Sequence, residues 1–432
     1  MAQFRTDRHK YLDNNSTLYE VVMLADQYGN RVGPANPSGV AVDAFGRARH
    51  STPLTLFDSS HRYNDNGLWA TKVTGTGSAV FNQNHASVDM TIGTALNDEV
   101  IRETYKVFSY QPGKSLLIMS TVVFSPAQAN LRQRVGYYGA ENGIYFEQDG
   151  STVSFVERSH VTGSTLENRA AQSTWSQDKL DGSGPSGLTL DTTKAQIFWM
   201  DIEWLGLGSV RTGFVINGQL IHCHTFHHAN IIDTPYITTA SLPLRYEIKN
   251  TGTTTGATLK QICSTVISEG GYELRGRQQA AQLPVNSPKD LAVVATLYPV
   301  VSIRLKSSKL DAIAILTAVS ILGVTNNVNY RWELRAEGTT TGGTWTSEHA
   351  DDCVEYNISG TSFAGGRTLA SGYTQGSNQG AASVDLLKEA LFKFQLDRNS
   401  FTGTARELTL VLSAGTAGAD VLASMDWEEV TR

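Results

Sequence analysis

Two carboxylates and a run of histidines are the residues of this chain best able to do chemistry. Asp201 and Glu203 lie two apart in Ile197–Trp204 (IFWMDIEW), an alternating stretch rich in aromatics. Residues two apart on a strand share a face. The sequence therefore sets two carboxyl groups side by side, the ingredient of glycoside hydrolysis. Further on, HCHTFHH brings together His222, Cys223, His224, His227 and His228. Imidazole and thiolate suit zinc and similar metals, which makes His222, His224 and His227 the metal candidates. Cys223 points to the opposite face, so at most one side can form a site. The plainer reading packs His222 and His224 among aromatics and leaves His227 and His228 in the following loop.

Other constellations carry less. YQPGKS (110–115) contains the Pro-Gly-Lys-Ser of a phosphate loop without its spacing, because Phe108 stands where the first glycine belongs. A strand rather than a helix follows, so no helix N-terminus would face a phosphate. Asp149, Asp178 and Asp181 offer oxygen ligands for calcium but lack EF-hand spacing. No GxSxG elbow is present. Trp345 and Tyr373 are the candidates for glycan contact by stacking, although most aromatics of such a chain belong to its core. No catalytic residue and no cofactor is expected.

The elements that must position these residues are strands. Of 432 residues, 40% are hydrophobic and 18% charged, below the ~25% charged of ordinary soluble domains. Ser, Thr, Asn, Gln and 39 Gly make up the difference, a mix that favours strands and turns over surface helices. The net charge of −6 argues against a nucleic-acid footprint. Three cysteines without a CxxC pair read as free thiols in a reducing compartment. The polar N-terminus lacks the apolar core of a signal peptide. The longest apolar run, 310–324, is broken by Asp311, Thr317 and Ser320 and is too short to span a bilayer.

Three regions are expected. Residues 1–69 read as an extended N-terminal arm, with a strand-like run at 19–24 and the turn-rich GPANPSG at 33–39; the alternative is a strand docked on its own domain and followed by a loop. Residues 70–275 read as a jelly-roll-like β-sandwich, with strands at 116–124 and 197–204 and two hairpins. One hairpin joins 143–147 to 153–157 through Asp149-Gly150. The other joins 213–216 to 219–224 through Asn217-Gly218, a two-residue type I′ turn signal. Residues 273–290 (ELRGRQQAAQLPVNSPKD), polar with two prolines, read as the boundary. Residues 290–432 read as a second β-sandwich domain, with long loops at 339–343 and 360–380 and a helix at 382–391. The fold class is all-β.

The stretch from Arg49 to Tyr272 resembles a group of poorly characterised virion structural proteins of tailed bacteriophages, phages of marine cyanobacteria among them. The resemblance lies in RHSTPLTLFDSSHRY (49–63), YQPGKS (110–115), GYYGAENGIYFEQDG (136–150), WSQDKLDGSGPSG (175–187), FVINGQLIHCH (214–224) and CSTVISEGGY (263–272). It implies a fibre, head-decoration or tail-associated component of the particle, made in the host cytoplasm and located in the virion. Its partners would be other copies of itself and other virion proteins, met through the arm (7–63) and the sandwich faces. Host-surface glycan is a further partner if the C-terminal domain serves as the receptor-binding module of a fibre. Neither nucleic acid nor membrane insertion is implied. WMDIEW also resembles, faintly, the acidic strand of laminarinase-like glucanases, but Trp199 stands where those families carry a further carboxylate. That departure removes the residue expected to act as nucleophile and weakens a depolymerase reading.

Overall fold

The computed structural model describes residues 9–12, 18–21, 51–376, 382–384 and 395–431. The chain divides into two compact units, Met1–Pro53 and Leu54–Arg432. In the first, His9–Leu12 pairs antiparallel with Leu18–Val21; the rest of the arm expected before residue 51 lies outside the described residues. The second unit holds two β-sandwiches.

The first sandwich stacks a seven-stranded sheet on an eight-stranded one, both antiparallel. The seven run, in spatial order, Leu166–Ala171, Thr152–Ser159, Gly143–Asp149, Leu131–Tyr138, Leu244–Asn250, Glu99–Thr104 and Trp69–Thr74. The eight are Gln219–Phe226, Val210–Ile216, Gln196–Ile202, Leu116–Val123, Ala257–Ser268, Ser87–Ile92 and Ser78–Asn82, with Leu54–Ser60 also paired to Ala257–Ser268. Period-2 alternation builds the core. Along Leu116–Val123 every second residue is buried, and Phe198, Met200 and Ile202 face inward while Trp199 and Asp201 face out. Aromatics fill the space between the sheets: the Phe146 ring lies 5.0 Å from Phe214 and 5.3 Å from Phe124, and Phe155 stacks on Trp175 at 4.3 Å.

The expected boundaries shift in two places. The first sandwich begins at Leu54 rather than residue 70, because Leu54–Ser60 hydrogen-bonds along Ala257–Ser268. The second begins at Arg277–Gln282, which pairs with Ala419–Thr431 instead of forming a linker. That sandwich stacks a six-stranded sheet, centred on Ala419–Thr431 and Ile313–Gly323, on a five-stranded one. The five run Val354–Asn357, Tyr298–Leu305, Glu407–Ala414, Asn329–Thr341 and Ser362–Gln375. Ser362–Gln375 takes up most of the loop expected at 360–380, of which 377–380 lie outside the described residues, and Asn329–Thr341 runs into the loop expected at 339–343. Ser362–Gln375 is an edge strand largely exposed on both sides, so no apolar alternation marks it in sequence. The expected helix at 382–391 is corrected at its start, where Ala382–Val384 is a strand paired with Val319–Ile321; residues 385–391 lie outside the described residues. No helix among the described residues is long and apolar enough to cross a membrane.

A seam joins the sandwiches. The Val107 amide donates to Asp397 (3.4 Å), its carbonyl accepts from Gln395 (2.9 Å), and its side chain clusters with Ile313 and Ile315. Ser400 donates to Glu103, and Arg406 reaches both the Tyr105 carbonyl and Asp397.

The outer face of the seven-stranded sheet is paved with charge. Arg134, Glu147 and Glu247 are each 3% exposed or less. Arg134, Arg158 and Arg245 lie over the rings of Tyr138 and Tyr145 at 4.9–5.4 Å.

Candidate functional site

Gln196–Ile202 runs between Leu116–Val123 and Val210–Ile216 in the eight-stranded sheet, and its register sets Asp201 opposite Arg211. Arg211 donates to Asp201 Oδ2. The sequence expectation that Asp201 and Glu203 share a side holds in that both line one cleft, with Glu203 just past the strand end. The loop after Glu203 folds back tightly: the Glu203 amide donates to Ser209 (3.1 Å), and the Ser209 amide donates to the Glu203 carboxylate (3.3 Å). Leu205 takes a left-handed conformation (φ 41°), followed by Gly206 (φ 81°).

The cleft has a volume of about 410 Å³. Lys114, carried by the turn ahead of Leu116–Val123, and Arg211 supply cations; Tyr110, Ser115 and Ser209 supply hydroxyls. The environments of the two carboxylates differ. Asp201 is 6% exposed, and burial pushes its carboxyl upward against the pull of Arg211. Its Oδ1 has no hydrogen-bond partner among the described residues. Glu203 is exposed. Trp199, the neighbour on the outward face, is 5% exposed and fills the space beside Gly213.

The histidines do not assemble. His222 and His224 are both half-buried, and Cys223 between them is an extra residue in the ladder: Gly213 pairs with His222 and Thr212 with His224. His222 Nε2 lies 2.8 Å from the Thr225 hydroxyl, and its ring sits 6.0 Å from Trp199. His224 Nδ1 accepts from the Ser176 amide (3.2 Å), and His227 Nδ1 lies 3.3 Å from the Ser209 hydroxyl. Burial, then the neighbouring histidines, push His224 down to about 4. Among the described residues no group of three or more His, Cys, Asp or Glu is placed to hold a metal. One nitrogen of each ring is held by a different protein partner: His222 through Nε2, His224 and His227 through Nδ1.

His228, in the loop after Gln219–Phe226 as expected, is the buried one. Its Nδ1 lies 2.5 Å from the Gly208 carbonyl, its Nε2 2.6 Å from Glu157, and its ring stacks on Tyr236 at 4.0 Å. Burial lowers its pKa, but the Glu157 contact and the Gly208 carbonyl outweigh it, so the net shift is upward. Through Gly208 on one nitrogen and Glu157 on the other, the imidazole ties the two sheets together, and protonation would let it donate to both.

The two glycan candidates lie apart. Trp345 stands beside the Val354–Asn357 edge of the five-stranded sheet, with the Arg304 guanidinium 4.0 Å from its ring. Tyr373, 82% exposed, is on Ser362–Gln375, the opposite edge. Three strands separate the edges, so the pair forms no common platform. Sequence reading missed Lys114, Arg211 and the Glu157–His228 pair. The turn at 217–218 fixes the register only as far as Gly213 against His222. The bulge at Cys223 then moves Arg211 to Thr225, and nothing in the sequence fixes Arg211 against Asp201 across the 203–209 loop.

No protein family and no curated protein matches the chain. Solved structures with some likeness include a β-1,3-1,4-glucanase (lichenase) derived from a mouse hindgut metagenome, 12% identical over 49% of this chain and 97% of its own, TM-score 0.32. A carbohydrate esterase from a Shiga toxin-encoding bacteriophage is 12% identical over 51% of this chain and 100% of its own, TM-score 0.32. The CBM2 module of an evolved Dit protein from Lactobacillus casei phage J-1 is 5% identical over 52% and 100%, TM-score 0.36. Likenesses of this size assign no activity, ligand or partner to the chain.

Proposed function

We propose that this chain is a structural component of a tailed-phage particle that works through protein–protein contacts and not through turnover. The sequence strings between Arg49 and Tyr272 support that reading. The structural observation that carries it is the seam, where Glu103, Tyr105 and Val107 of the first sandwich are held by Gln395, Asp397, Ser400 and Arg406 of the second. Apolar contact and charge-assisted hydrogen bonds fix the two bodies as one block, as a part that transmits load to its neighbours requires. The acidic strand fits the same reading: one of its two carboxylates is already neutralised by Arg211, and Trp199 occupies the next outward position.

The test is immunogold labelling and mass spectrometry of purified particles from a lysate containing the full chain. The expected result is stoichiometric retention through gradient purification, with cross-links from the chain to itself or to other particle proteins. A chain abundant in the lysate but absent from purified particles overturns the proposal.

A further inference from the structure

The cleft beside Asp201 is more than packing requires. Asp201 is 94% buried by its 6% exposure, yet one carboxylate oxygen accepts nothing among the described residues. Buried acceptors are ordinarily satisfied, and leaving one bare costs about 1–3 kcal/mol. Lys114, at the same cleft, makes no ion pair among the described residues. Leu205, 58% exposed, holds a left-handed backbone at the rim. Such strain in a non-glycine residue gathers at sites that bind something. The volume of about 410 Å³ falls within the ~300–1,000 Å³ of small-ligand sites.

The chemistry of the lining selects the ligand. Glu203 accepts, and so does Ser115, whose hydroxyl proton is already given to Glu269 (2.9 Å). Lys114 donates, Arg211 donates with the N–H groups not held by Asp201, and Tyr110 and Ser209 do both. Two negative charges face two positive ones, so neither an anion nor a cation is favoured overall. A ligand whose every polar group both donates and accepts, and which carries no net charge, meets the whole lining. The exposed Leu205 side chain offers an apolar edge for C–H groups. We propose that this cleft binds a neutral saccharide, one or two hexose units of a longer glycan. This site is separate from Trp345 and Tyr373 and does not depend on the particle assignment.

The test uses the full chain on an array carrying neutral, amino and acidic oligosaccharides, followed by calorimetric titration of the best neutral glycan. Neutral glycans are expected to bind. Glu203→Gln, at an exposed position, and Lys114→Ala, at a half-buried one, both checked for unchanged melting temperature, should each weaken binding at least about tenfold, a loss of about 1.4 kcal/mol. Trp345→Ala and Tyr373→Ala should leave it unchanged. Three results overturn the proposal: no neutral glycan bound at millimolar concentration, a preference for acidic or amino glycans, or wild-type affinity in both cleft variants. Particle labelling is unaffected by any of them, so the two proposals fail independently.

Discussion

Arg134 stands between two carboxylates, with Glu147 at 2.6 Å and Glu247 at 3.4 Å. All three side chains are nearly fully buried on the outward face of a sheet, where a single charge without its partners would be costly. Replacing Arg134 by Met leaves Glu147 and Glu247 under-compensated and should destabilise the chain by about 3–5 kcal/mol. Adding Glu247→Gln to Arg134→Met should recover part of the loss. Urea denaturation of the single and double variants measures both.

The same network sets the acid limit. Burial alone would raise Glu247 and Glu167, but the surrounding arginines, together with the Tyr145 hydroxyl on Glu167, hold both at about 2. Folded pKa values below the ordinary carboxylate range contribute stability that is complete above about pH 4.5 and drains away as pH falls toward 2. Glu103 and Asp397 at the seam are shifted the other way by burial, so their protonation relieves the seam instead of breaking it. Thermal melts from pH 7 to 2.5 should show the midpoint falling below pH 4.5, and Glu247→Gln should flatten that fall.

Two glycines of one hairpin should respond differently to the same change. Gly218 has a φ of 76° and open space where a Cβ would go, so Gly218→Ala meets backbone strain alone, about 1 kcal/mol. A Cβ at Gly213 would sit 1.9 Å from the Ile221 carbonyl oxygen. Main chain cannot swing aside, so Gly213→Ala should cost about 3 kcal/mol. Denaturation midpoints for the two variants test the ranking.

Arg406 is the cation of the seam, touching the Tyr105 carbonyl and Asp397. Arg406→Ala should leave both sandwiches folded by circular dichroism. Amide exchange at 105–110 and 395–400 should quicken, and limited proteolysis should now cut near the joint. Protection equal to wild type would show that Val107 and its apolar neighbours suffice.

What could be read in advance followed local rules. Asn217-Gly218 announced its turn because both residues must take positive φ, and both do. Leu116–Val123 announced itself because one face meets the core and the other does not. Ser362–Gln375 was hidden because an edge strand exposed on both sides carries no such contrast. Arg277–Gln282 was hidden because its partner lies some 150 residues away in Ala419–Thr431, a pairing local pattern cannot encode. In the His222–His228 run the plainer reading holds, with His222 beside Trp199, His224 against Phe226 and the last two histidines past the strand end. The bulge at Cys223 could not be read from the run itself, nor could the partners Ser176, Ser209 and Glu157, which come from other strands and loops.

The pairing of Ala419–Thr431 also imposes a schedule on biosynthesis. The eight-stranded sheet has all its strands once the ribosome has extruded residue 268, whereas Arg277–Gln282, Lys289–Leu291 and Ile313–Gly323 must all wait for one late segment before they can close. For the time needed to translate more than a hundred codons, the earlier body stands finished while those three strands offer open edges to whatever is nearby, so a chaperone or a neighbouring nascent chain would meet the second sandwich and not the first.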